Sequence, residues 1–151
     1  MIYTPKTKKA MVIAYEAHKN QVDKGGVPYI YHPMYLASRM QDEKTTCVAL
    51  LHDVLEDTEV TLEYLRAQGF DEDILAALQI MTHEESVPYM DYIRSIRKNK
   101  IATVVKLADL EHNSDLSRLN EVTEQALQQA EKYKRAIEAL RELPDEPPVS
   151  G

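Results

Sequence analysis

Thr45-Thr46-Cys47-Val48-Ala49-Leu50-Leu51-His52-Asp53-Val54-Leu55-Glu56-Asp57 decides how this chain folds. Residues 45 to 55 are apolar on almost every face, the pattern of a helix buried at the centre of a domain and not of one lying on its surface. Ionisable groups interrupt its second half. A buried carboxylate stays charged only when it is paired or holds a cation, because the isolated ion would neutralise instead. His52 with Glu56, and Asp53 with Asp57, stand at i and i+4, so the spacing predicts that both pairs project from neighbouring parts of one helical face. A helix end with a solvated acidic cluster and one satisfied histidine fits the same string, so the surrounding chain has to decide.

Outward from this segment the chain reads as helix throughout. Ala, Leu, Glu, Lys and Gln are plentiful, there is one Phe and no Trp, and no convincing strand is found. Thr4-Pro5 is a cap and first-turn pair for a helix running to about Asn20. Lys24-Gly25-Gly26-Val27-Pro28 forms a loop, after which His32-Pro33 opens a second helix through Met40. Thr61 caps a short helix closed by Gly69, Asp71 starts another to Met81, and Ser86-Val87-Pro88 leads a third. Ile101 to Leu116 and about Thr123 to Leu143 complete the set. The expected fold is all-α, a bundle of about eight helices, with residues 1–143 as one domain and 144–151 as a flexible tail.

Composition narrows the function classes. The 151 residues sit in the range of one domain. With 25 acidic against 18 basic residues the net charge is −7, which opposes binding to nucleic acid or anionic lipid. Cys47 is the only cysteine, so neither a disulfide framework nor a thiolate zinc cluster forms within the chain, and a cytoplasmic location is expected. No stretch reaches the apolar length of a membrane span or of a signal peptide.

Two further segments join the central one. Lys106-Leu107-Ala108-Asp109-Leu110-Glu111-His112-Asn113 places Lys106, Asp109 and Asn113 at i, i+3 and i+7 on one helical face; an ordinary intrahelical ion pair between Lys106 and Asp109 would do the same. Pro28-Tyr29-Ile30-Tyr31-His32-Pro33 fixes His32 at a helix entrance, where a capping or packing histidine also fits. Two imidazoles and two carboxylates drawn from these segments suit a divalent cation such as Mn²⁺, Mg²⁺, Fe²⁺ or Zn²⁺, with positions left for water and a phosphate oxygen. His18 and His112 are spare histidines near the same elements.

The order His32, His52-Asp53, Glu56-Asp57, Asp109 resembles the HD phosphohydrolase superfamily, and the surrounding words resemble the hydrolase domain of the RelA/SpoT alarmone enzymes. The resemblance spans roughly Ala14 to Tyr133, through His18-Lys19-Asn20-Gln21, Gly26 to Pro33, Ala49 to Thr58 and Val105 to Asp109. It implies an HD-domain bundle and Mn²⁺-dependent removal of the 3′-pyrophosphate from ppGpp or pppGpp, a small phosphorylated nucleotide. It implies His32, His52, Asp53 and Asp109 as ligands of one cation and Glu56 and Asp57 as the catalytic acidic pair, with Asn113 facing the nucleotide. Hydrolysis alone is expected of these residues, which end too early to include the synthetase domain of the long enzymes. Lys24, Lys106, Arg94, Arg97 and Lys98 are the nearest basic residues for phosphate, and Lys24 and Lys106 adjoin the motifs. Two rival readings are an HD-type nucleotidase or pyrophosphatase acting on another phosphorylated nucleotide, and a sensor that binds nucleotide without turnover.

Overall fold

The computed structural model describes residues 1 to 142; the expected tail, 144–151, lies outside the described residues. The regular structure of that span is helical: α1 (Pro5–His18), α2 (Tyr31–Ser38), α3 (Glu43–Leu51), α4 (Val54–Asp57), α5 (Leu62–Ala67), α6 (Glu72–Met81), α7 (Tyr89–Arg97), α8 (Lys100–Asn113) and α9 (Glu124–Arg141), with one 3₁₀ turn at Leu116–Arg118. Among the described residues the only β pairing is an isolated bridge between Val22 and Pro28. No helix described is long and apolar enough to cross a membrane.

Side-chain caps set the helix starts. Thr4 accepts from Thr7 N at 3.1 Å while Thr7 Oγ1 accepts from Thr4 N at 2.8 Å, a reciprocal capping box. Asp42 opens α3 by accepting from Thr45 N at 2.8 Å and from Thr45 Oγ1 at 2.7 Å. Asn99, Thr61 and Thr123 cap α8, α5 and α9 in the same way.

Cys47, Val48, Ala49, Leu50 and Leu51 are completely buried, and α3 runs through the middle of the bundle against α1, α2, α6 and α8. The helix stops sooner than its apolar run suggests. Leu51 ends α3, His52 and Asp53 form a turn, and a single turn of helix, α4, follows. Two local bonds make the break. His52 Nδ1 takes the Ala49 carbonyl at 2.6 Å, and Asp53 starts the next turn, accepting from Asp57 N at 3.0 Å through its own carbonyl. The continuous helix expected across 45–57 is thus two helices, which raises the count to nine among the described residues.

The chain between α1 and α2 folds back on itself. Asp23 N donates to Val27 O and Tyr29 N to Gln21 O, both at 2.8 Å, with Gly26 at φ +84° turning the corner. At Gly25 a Cβ would come within 2.3 Å of the Arg118 carbonyl oxygen, so this loop lies directly on the segment after α8. Asn120 Nδ2 donates to Gly25 O at 3.2 Å across the same contact.

Candidate metal centre

Separate elements converge beside the N-terminal end of α4. His32 stands in the first turn of α2, His52 and Asp53 occupy the turn after α3, and Asp109 lies in the middle of α8. One ligand atom from each of the four lies within 4.8 Å of all the others. His32 Nε2 is 2.8 Å from Asp109 Oδ1, and His52 Nε2 is 3.0 Å from Asp53 Oδ2 and 3.4 Å from Asp109 Oδ1. His32, His52 and Asp109 are buried.

The cluster fits a cation by a test independent of residue type. His52 Nε2 is shielded from solvent and makes no hydrogen bond of acceptable geometry, despite the nearby carboxylates. Its Nδ1 is committed to the Ala49 carbonyl, so the proton belongs on Nδ1 and the Nε2 lone pair faces Asp53 and Asp109. An orphaned buried nitrogen among two carboxylates and a second imidazole matches the donor set of a divalent metal site.

Both carboxylates have further partners. Tyr29 donates its hydroxyl to Asp53 Oδ2 in a short hydrogen bond. Lys106 Nζ donates to Asp109 Oδ2 at 2.9 Å, and Asn113 Nδ2 to Asp109 Oδ1 at 3.1 Å. Burial pushes the Asp109 carboxyl up, but the Lys106 charge, the bond from His32 and the nearness of His52 outweigh it and hold the group well below the usual carboxylate range. Burial likewise opposes the Lys106 ammonium, yet the Asp109 charge beside it raises its pKa. On the far side of His32, His112 Nδ1 lies 2.7 Å from His32 Nδ1. Burial and the Arg118 charge lower the His112 pKa to about 4.

Glu56 and Asp57 stand at the open edge of the cluster. Burial raises both carboxyl groups above their ordinary values, and the Asp53 charge adds to the shift in each. Glu56 also accepts from the His83 backbone N–H, which ties α4 to the loop after α6. The helix break turns the expected common face into a short turn of its own, so the two acids flank the cluster instead of extending α3.

A cleft of about 710 Å³ is lined by Lys24, Tyr29, Asn113, Arg118, Gln129 and Tyr133 among others, and it borders the cluster through Tyr29 and Asn113, which donate to Asp53 and Asp109. Lys24 is exposed at its rim. Lys106 differs from the free cation expected for phosphate, since its side chain is 14% exposed and engaged with Asp109. Arg94 and Arg97 are paired with Asp91 and Glu142. His18 is fully buried with Nδ1 2.8 Å from Gln21 Oε1, and it packs on Tyr29.

Reading the sequence did not single out Tyr29 as a donor to Asp53, and it passed over Arg118. Arg118 donates to the His112 carbonyl at 3.0 Å and to Asn113 Oδ1 at 3.2 Å, and reaches Asp23 Oδ2 at 3.4 Å. No local pattern marks Arg118. Tyr29 lies inside a motif, three residues before His32, and that proximity was its one signal.

No family model matches the chain. A guanosine-3′,5′-bis(diphosphate) 3′-pyrophosphohydrolase of Borreliella burgdorferi is 37% identical over 122 residues, covering 70% of this chain and 18% of that protein. The bifunctional (p)ppGpp synthase/hydrolase SpoT of Escherichia coli is 31% identical over 121 residues, covering 70% of this chain and 17% of that protein. The chain therefore spans under a fifth of the length of these curated relatives. A solved structure described as a metazoan ortholog of SpoT that hydrolyses ppGpp and plays a role in starvation responses superposes with a TM-score of 0.74, at 24% identity, over 93% of this chain and 88% of that one.

Proposed function

We propose that this chain, an HD-type hydrolase domain related to the (p)ppGpp 3′-pyrophosphohydrolases, hydrolyses the 3′-pyrophosphate of ppGpp or pppGpp in the cytoplasm. The observation that carries the proposal is the buried His32, His52, Asp53 and Asp109 cluster with two acids of raised pKa at its open edge. In this reading those four residues hold one divalent cation per chain, and the mixed nitrogen and oxygen donors suit Mn²⁺. When bound, such a cation polarises a phosphoryl oxygen and makes water acidic enough to be a nucleophile near neutral pH.

The chain's own residues divide the remaining work. Glu56 and Asp57 are sequence neighbours and both feel the Asp53 charge, and in this reading the pair, not either member, holds the proton that is moved. Tyr29 fixes Asp53, while Lys106 and Asn113 fix Asp109, so the donor set is pre-arranged before substrate arrives. Lys24 and Asn113 line the same cleft, and in this reading Lys24 meets the phosphates. The overall charge of −7 works against long polyanions and leaves a small nucleotide as the partner.

The test is incubation of Mn²⁺-loaded protein with ppGpp and a panel of phosphorylated nucleotides, with products resolved by chromatography. Release of pyrophosphate with formation of GDP is expected. Cleavage of another nucleotide in place of ppGpp would make the chain a nucleotidase, and tight binding without turnover would make it a sensor.

A further inference from the structure

The two histidines of the cluster are supported at Nδ1 by different means. His52 Nδ1 meets a backbone carbonyl, that of Ala49, at 2.6 Å. His32 meets another side chain, His112, with the two Nδ1 atoms 2.7 Å apart. Those rings are parallel to within 4° and their centroids are 5.0 Å apart. A nitrogen contact this short at that centroid distance puts the rings side by side in one plane, the arrangement of an N–H···N hydrogen bond, and not face to face. Tyr35 then stacks on His112 with centroids 4.1 Å apart and planes 20° apart.

Only one proton fits between the two Nδ1 atoms. If His32 presents its Nε2 lone pair to a cation, its proton must sit on Nδ1 and His112 must accept it. A carbonyl can only accept, so His52 has one possible arrangement; His32 acquires its arrangement from the ring beside it. We infer that His112, held in plane by Tyr35, is the positioning residue that orients the His32 ring and accepts its Nδ1 proton when Nε2 turns to a cation. The inference rests on the metal reading of the cluster. It assigns His112 no contact with substrate or cation.

Phe at position 112 keeps an aromatic surface for Tyr35 and removes the acceptor. Asn places a carbonyl oxygen near the site of Nδ1 and restores the acceptor without the ring. Mn²⁺ titration of the full chain by calorimetry, with electron paramagnetic resonance of the bound ion, reads the difference without any assay of activity. His112→Phe is expected to weaken binding roughly 10- to 100-fold and His112→Asn to stay within about threefold of wild type, the scale of lost and kept outer-sphere partners. Thermal unfolding of the metal-free proteins checks that each variant folds. Should His112→Phe fail to fold, Tyr35→Leu carries the test with an expected severalfold loss, since the Tyr35 ring stacks on His112 and its hydroxyl accepts from Arg39, not from the clustered residues. Wild-type affinity in His112→Phe, or in Tyr35→Leu where that variant stands in, overturns the inference and leaves the metal site intact. A His112→Asn that falls as far as His112→Phe overturns it too. Wild-type protein that takes up no divalent cation removes the metal reading itself, and the inference with it.

Discussion

Lys106 and Asp109, one turn apart on α8, form a part-buried ion pair in which Lys106 Nζ holds Asp109 Oδ2 at 2.9 Å and leaves Oδ1 facing His32 and His52. The pair gives the two oxygens different roles, one tethered and the other pointing into the cluster. On an exposed helix the same spacing contributes only a few tenths of a kcal/mol. Here the surroundings are dry, and removing one partner strands the other.

Replacing Lys106 by Met is therefore expected to destabilise the metal-free chain by about 3 kcal/mol, the low end for breaking a buried pair, because Asp109 keeps Asn113 and His32 as donors. Urea unfolding measures this. A variant as stable as wild type would place Lys106 on substrate instead of on Asp109.

Glu56→Gln and Asp57→Asn leave the four clustered residues untouched. Each is expected to lower turnover of ppGpp by roughly 10² while binding Mn²⁺ as wild type does, the loss typical of removed proton transfer. Single-turnover kinetics beside metal titration separates the two effects. Full turnover in the double variant would take the proton-transfer role away from the pair.

Removing the cation is expected to lower stability as well as activity. Wild type at a hundredfold excess of Mn²⁺ over its dissociation constant is expected to gain about 2.7 kcal/mol over the chelated protein, since the folded state alone assembles the site. Asp53→Ala is expected to lose most of that gain. Thermal scans with and without chelator check both statements, and identical Mn²⁺ responses in the two proteins would exclude Asp53 from the site.

Asp42 supplies a pH dependence well away from the cluster. The bonds from Thr45 N and Thr45 Oγ1 hold its carboxyl below the ordinary value. A depressed folded-state pKa stabilises the chain above the unfolded pKa, roughly 3.9 for Asp, and the contribution fades as pH falls through the folded value. Asp42→Ala is thus expected to cost about 1 kcal/mol at pH 7, the usual value of an N-cap. Denaturation series at decreasing pH should find the gap between wild type and variant closing below about pH 4. A gap that stays constant would mean that the cap acts without its charge.

Much of this architecture was legible locally. Thr4, Thr61 and Thr123 announce helix starts because a cap is a property of three or four consecutive residues, while Asp71 starts α6 without a side-chain cap bond and Asn99, which caps α8, went unread. The apolar run at 45–51 announces the centre of the bundle for a similar reason. The helix break at His52 and Asp53 was not legible, because helical periodicity passes through it and only the bond from His52 Nδ1 to Ala49 O distinguishes a stop from a continuation. Contacts between distant segments were silent as well. Tyr29 on Asp53, His112 on His32 and Arg118 on Asp23 join residues 24, 80 and 95 positions apart, and no periodicity spans such gaps.

The contact between His32 and Asp109 joins positions separated by 77 residues. A ribosome makes the chain in the order His32, His52, Asp53, Asp109, so three donors emerge well before the fourth. Lys106 and Asn113, which hold that fourth donor, arrive with it on the same helix. In the proposed metal reading the donor set is complete only once α8 is in place, and the earlier segments reach their positions through the packing of α3 against α1, α2 and α6.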